Sequence, residues 1–246
     1  MAADLPDDLA IRVEDVTKRF RLETARTDRW WRTLTGFHQI RHSEFWALKG
    51  IGVDVPKGSM LGIVGRNGSG KSTLLRIIAG VYRPSSGSVT VRGRTAALLE
   101  LGAGFHQHLS GIENIYFNAA VHGLDRDYVD SVLDDIIALA DIGSFIDNPL
   151  EVYSSGMRAR LGFAVTVYLQ PEVLMADEIT AVGDVAFARR CMNHLERLRD
   201  EGVTIVLVSH NLGLIQRMSD QVMWLDGGEV RMLGEAQAVL AEYRDA

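Results

Sequence analysis

The chain of 246 residues is 47% apolar, carries a formal net charge of −6 and has a mean hydropathy near zero; this suits one large folded domain or two closely coupled lobes and excludes a disordered segment. The acidic balance excludes a general nucleic-acid binder. No apolar run approaches the roughly 18–20 residues that cross a bilayer, and the start MAADLPDDLA lacks the basic and apolar parts of a signal peptide, so the chain is expected in the cytoplasm, held at any membrane by an integral partner.

A first strand is predicted over residues 10–20, with Ile11, Val13 and Val16 apolar. Residues 21–45 break the pattern as an insertion. Within 26–46, Arg26, Arg29, Arg32 and Arg41 outnumber the acids Asp28 and Glu44, and Trp30, Trp31, Phe37, Phe45 and Trp46 are interleaved with them. Cationic and aromatic side chains together suit the headgroup region of a membrane. Residues 46–65 predict two strands joined by the turn Pro56-Lys57-Gly58.

Gly65-Arg66-Asn67-Gly68-Ser69-Gly70-Lys71-Ser72 follows, matching G-x-x-x-x-G-K-[ST] between an apolar strand and an apolar helix through Leu74–Ile78. Glycines let the backbone turn tightly, so that successive N–H groups point at phosphate oxygens, and the helix start adds its positive end. Lys71 is suited to the β- and γ-phosphates of a nucleotide and Ser72 to Mg²⁺. Gly65, Asn67, Gly68, Ser69, Gly70, Lys71, Ser72 and Thr73 are therefore the candidate nucleotide-binding residues.

Further on, residues 88–101 read as strand and 112–169 as mainly helical, with Val129, Val132, Leu133, Ile136, Ile137 and Ala140 at helical spacing. A strand over 172–177 ends in Asp177-Glu178. Asp177 is the candidate second Mg²⁺ contact, and Glu178 the group that positions or deprotonates an attacking water. A helix over 185–200 places the single cysteine, Cys191, on an apolar face with Phe187, Leu195 and Leu198, as a core residue. A strand over 203–208 is followed by His210, a candidate donor to the γ-phosphate or to the water. A helix over 211–218 and a hairpin over 221–233 around Asp226-Gly227-Gly228 close the pattern. Strands alternating with helices imply an α/β fold with a mostly parallel sheet, and the helical stretch between two strands implies a second lobe.

Between the two nucleotide motifs stands Tyr153-Ser154-Ser155-Gly156-Met157. With it the chain resembles the nucleotide-binding domain of ABC transporters over roughly residues 10–232, in the family's order of motifs. The resemblance implies a single domain over 1–246: an ATP-binding core (10–101 and 172–233), an antiparallel β lobe and an inserted helical lobe over 112–169. It implies that Ser154 and Gly156 bind the γ-phosphate held by a second copy. It implies that Asp184, in Ala181-Val182-Gly183-Asp184, couples the two sites, and that His210 is the family's switch histidine. An aromatic stacked on adenine is implied at Phe20, with Trp46 as its rival. No glutamine stands at the strand end where the family has one; Glu100 is the candidate replacement and metal contact, and Gln107 lies further along.

Leu98–Phe105 running into Leu109-Ser110-Gly111-Ile112-Glu113-Asn114, the Tyr153–Met157 motif, and Phe45-Trp46-Ala47-Leu48-Lys49 after a long insertion resemble exporters of lipid-linked polysaccharide of the O-antigen, teichoic-acid and galactan type. That resemblance implies a homodimer hydrolysing ATP with Mg²⁺, two copies of an integral membrane permease, a lipid-linked polysaccharide as cargo and a place at the cytoplasmic face of the membrane. A drug or lipid exporter, or an importer, is the alternative. Some members carry a further carbohydrate-binding domain; none is expected after the helix containing Ala236–Tyr243.

Overall fold

The computed structural model describes residues 5–24, 41–99, 102, 104–178 and 184–246. Strand β1 (Leu9–Thr24) pairs antiparallel with β2 (Arg41–Pro56), and β4 (Ser86–Val91) lies on its other side. The second sheet holds β3 (Met60–Val64), β5 (Thr95–Leu98), β6 (Val173–Asp177), β7 (Thr204–Val208), β8 (Gln221–Asp226) and β9 (Glu229–Glu235). Its order is β5-β6-β7-β3-β8-β9, parallel throughout except for the β8–β9 hairpin. The runs Met60–Val64 and Thr204–Val208 are wholly buried, as expected of strands covered on both faces.

Two boundaries differ from the sequence expectation. The β1–β2 ladder continues through residues 21–24 and 41–45, inside the stretch read as an insertion, with Thr24 opposite Arg41. Backbone pairing needs no apolar alternation, and the Arg19–Glu44 ion pair at 3.0 Å supports the exposed ladder from the side. The single stretch 88–101 divides between the two sheets. Arg92 N donates to Ala10 O at 2.9 Å, whereas Arg94 O accepts from Glu172 N at 2.8 Å and Val173 N at 3.1 Å. One short turn thus hands the chain from the antiparallel sheet to the parallel one.

Helix α1 (Lys71–Ile78) lies between the sheets. Its Leu74, Leu75, Ile77 and Ile78 pack with Ile11, Leu48 and Ile51 on one side and Ile63, Met175 and Val208 on the other. Burial of each such side chain contributes roughly 1.5–3 kcal/mol, which fixes the start of α1 in space. The opposite face of the parallel sheet is covered by α5 (Val185–Asp200), α6 (Leu212–Met218) and α7 (Ala236–Asp245). Cys191 is buried there, and burial pushes its thiol pKa up to about 12, so it is an inert core residue.

The chain leaves the parallel sheet after β5 and returns at β6, its immediate neighbour. Between them α2 (Gly111–Val121), α3 (Arg126–Ala140) and α4 (Ser155–Val167), with 3-10 turns at Gly143–Asp147 and Leu150–Val152, form a lobe with its own core around Ile115, Val129, Ile136, Leu150 and Leu161. Ser110 and Glu113 close a reciprocal capping box at the start of α2. The fully buried Asn114 accepts from His106 N at 2.8 Å and donates to the carbonyls of His106, Leu109 and Ser110. The loop it holds is bonded in turn to the segment before Ser154, through Leu150 N to Leu109 O and Glu151 N to Gln107 O.

Candidate functional site

The phosphate loop joins β3 to α1. Gly65 has φ 151° and Gly70, the residue before α1, φ 107°. A Cβ at Gly65 would stand 2.2 Å from Leu225 O, and one at Gly70 2.6 Å from Ala47 O, so neighbouring backbone requires glycine at both. No side chain caps α1, which leaves its first N–H groups for a ligand. Lys71 Nζ, 6% exposed, donates to Gly65 O at 2.7 Å and Arg66 O at 3.1 Å. Burial lowers the Lys71 pKa, opposed by the charges of Glu178 and Asp177. The buried Ser69 hydroxyl has no hydrogen-bond partner among the described residues. Uncapped donors, an unpartnered hydroxyl and a buried ammonium form a donor set for a polyphosphate.

Asp177 and Glu178 stand at the end of β6, next to His210, which lies just beyond β7. Glu178 has a left-handed backbone, φ 48°, which costs a non-glycine residue roughly 1–2 kcal/mol. Its N–H donates to Val208 O at 3.0 Å, binding the turn to the neighbouring strand. The turn brings Glu178 Oε1 to 2.9 Å from His210 Nε2, with both side chains about half exposed. Phe45, Ala47, Asn67, Gly68, Ser69, Gly70, Lys71, Ser72, Thr73 and Glu178 line one cleft of about 210 Å³. The Ser72 hydroxyl and the Asp177 carboxylate are hard oxygen donors. They suit Mg²⁺, which keeps most of its waters and needs few protein ligands beside substrate phosphates.

Ser154 caps α4, its hydroxyl accepting from Met157 N at 3.1 Å. Ser154 and Ser155 are exposed, and Gly156 is half-buried. Neither Ser154 nor Gly156 lines the cleft of its own chain. Asp184 caps α5 by accepting from Phe187 N at 2.8 Å; that hydrogen bond and the charge of Arg160 lower its pKa.

The two aromatics expected at adenine, Phe20 and Trp46, are not among the residues that line the cleft, and a third aromatic is. Phe20 is half-buried edge-on to Tyr82, with centroids 5.9 Å apart. Trp46 lies under the Arg19 guanidinium at 5.5 Å. Phe45, 48% exposed, is the aromatic that lines the cleft. The sequence assigns Phe45 to the basic-aromatic segment and gives it no nucleotide role, because nothing in the chain alone marks Phe45 or Ala47 as lining the cleft. Glu100, Trp30, Trp31 and Phe37 lie outside the described residues. Gln107 is exposed in the loop before α2, where its carbonyl accepts from Glu151 N at 2.9 Å.

Residues 48–181 match the model of the ABC transporter family. The chain is 46% identical to the O-antigen export system ATP-binding protein RfbB of Myxococcus xanthus over 96% of its own length and 56% of that protein's. It is 43% identical to the RfbB of Klebsiella pneumoniae over 85% of each. It is 40% identical to the teichoic acids export ATP-binding protein TagH of Levilactobacillus brevis, over 96% of this chain and 64% of that protein. Among solved structures, an ATP-binding subunit of an ABC transporter aligns with a TM-score of 0.77 at 19% identity over 96% of this chain and 93% of that one. A dimeric post-hydrolysis ATP-binding cassette bound to ADP and Pi aligns with a TM-score of 0.74 at 19% identity, over 92% and 98%. The folds therefore agree where the sequences have diverged, and the family model matches more than half of the chain: this chain belongs to the ABC transporter family.

Proposed function

We propose that this chain is the ATP-hydrolysing subunit of an exporter of lipid-linked polysaccharide. Two copies pair head to tail and drive two copies of a membrane permease from the cytoplasmic face of the membrane. The observation that carries the ATPase part is the pairing of Glu178 with His210 at 2.9 Å beside the phosphate loop and Lys71. The export part is supported by the similarity to three proteins named for O-antigen or teichoic acid export.

In this reading the loop N–H groups and Lys71 hold the β- and γ-phosphates of ATP. Ser72 and Asp177 would hold Mg²⁺, whose charge offsets that of the phosphate oxygens. Glu178 orients the attacking water and takes its proton as the oxygen adds to the γ-phosphorus and ADP leaves. His210 Nε2–H donates to the Glu178 carboxylate and holds its orientation. Ser154 and Gly156 of the second copy bring another helix start to the same γ-phosphate. Closure is favoured because ATP touches both copies, and hydrolysis removes that bridge. The basic and aromatic composition of residues 26–37 suits the headgroup region near the cargo's entry.

Glu178→Gln tests the ATPase reading. Turnover should fall about 10²–10⁴-fold, while light scattering in Mg-ATP shows an accumulated dimer. Normal turnover without an ATP-dependent dimer would show that Glu178 does not orient the water and that the shared site is wrong.

A further inference from the structure

A charged cluster outside the cleft ties the helical lobe to the core. Arg160 lies on α4, within two turns of Ser154. Its Nη2 donates to Asp184 Oδ2 at 2.5 Å, and its Nη1 to the carbonyl of Asp141 at 3.1 Å. Asp141 ends α3 in the left-handed conformation, φ 49°, and its carboxylate accepts from Arg190 Nη2, on α5, at 2.6 Å. Both guanidiniums lie over the ring of Phe187, 5.0 Å and 5.8 Å from its centre. That ring is fully buried edge-on to Phe163 of α4. Arg160 is only 19% exposed, and its planar fork spends separate donors on separate anchors, which a lysine ammonium on a flexible stem does not reproduce.

The division of labour at Asp184 gives the cluster its meaning. Capping α5 needs one side-chain oxygen, and Oδ1 supplies it. Oδ2 is taken by an arginine from the helix that carries Ser154 and Gly156. Asp184 itself stands six positions after Glu178 in the chain. We propose that Arg160 is a positioning residue for ATP hydrolysis, holding Asp184 and the start of α5 to α4, the helix that begins at Ser154, so that the two move as one body. The proposal rests on the ATPase reading above.

The test compares steady-state ATP turnover, nucleotide affinity and thermal unfolding of the full chain with those of Arg160→Lys, Arg160→Met, Asp184→Asn and the Arg160→Lys/Asp184→Asn pair. Asparagine keeps the cap but weakens the bond to Arg160. Each single variant is expected to lower kcat about tenfold, and the pair no further than the worse single, because both changes break one linkage. ATP affinity of the isolated chain should stay within about twofold, since the phosphate loop is untouched. If Arg160→Met does not fold, Arg160→Lys, which retains charge and stem, carries the comparison. Wild-type turnover in Arg160→Lys, or multiplied losses in the pair, would overturn the proposal while leaving the ATPase reading intact. Absence of turnover in the wild-type chain would overturn both.

Discussion

Phe45 and Phe20 are partners across the β1–β2 ladder, yet it is Phe45 that lines the cleft while Phe20 packs on Tyr82. Phe45→Ala is therefore expected to raise KM for ATP about tenfold with little change in kcat, the loss expected of one base–aromatic contact. Phe20→Ala should leave KM near the wild-type value; the opposite ranking in steady-state kinetics would give the adenine contact to Phe20. The choice was illegible in the sequence for a physical reason. The ladder changes register between Val16 and Lys18 and again between Lys18 and Arg19, and each irregularity alters which residues share a face. The phosphate loop was legible because its motif is contiguous: the glycines, Lys71 and Ser72 stand together in the chain. Glu178 and His210 were individually nameable, but their 2.9 Å contact depends on β6 and β7 being neighbours and on the left-handed turn at Glu178.

Periodicity captured helices better than strands at the element scale. The spacing of Val129, Val132, Ile136 and Ala140 marks α3, because one apolar stripe faces one core. Strand ends were harder, since the extended β1–β2 ladder runs through polar sequence and the 88–101 stretch serves two sheets. Helix α5 carries a consequence for stability. His194 is buried on it beside the Tyr168 ring, with centroids 5.2 Å apart. Burial, with help from Arg197, lowers its pKa below the ordinary 6.5. The unfolded chain therefore takes up this proton at higher pH than the folded one. The stabilisation is complete above the unfolded value and is lost as pH falls through the folded value. Melting temperature should drop between about pH 7 and pH 5, and His194→Gln should flatten part of that slope. A slope unchanged by the substitution would assign the acid sensitivity to other groups.

For the whole molecule, motif order is enough to point to the family, and the fold agrees with solved structures that share only 19% identity. What one chain cannot display is a site completed by two. If the phosphate loop of one copy meets Ser154 and Gly156 of the other, a Lys71→Met chain and a Ser154→Arg chain should each be inactive alone. Mixed, they should recover up to about a quarter of wild-type turnover, because half the dimers are mixed and each has one intact site of two. No recovery from a mixture shown to contain mixed dimers would argue for sites contained within single chains. The way the helical lobe is attached sets how such a pair can close. Its two connections leave from adjacent parallel strands, one from the far end of β5 and the other into the near end of β6. They act like the upper and lower pins of a door hung on one jamb. The Arg160–Asp184 bond is a latch beside those pins, so a push on the loop before α2 reaches Ser154 and the start of α5 together.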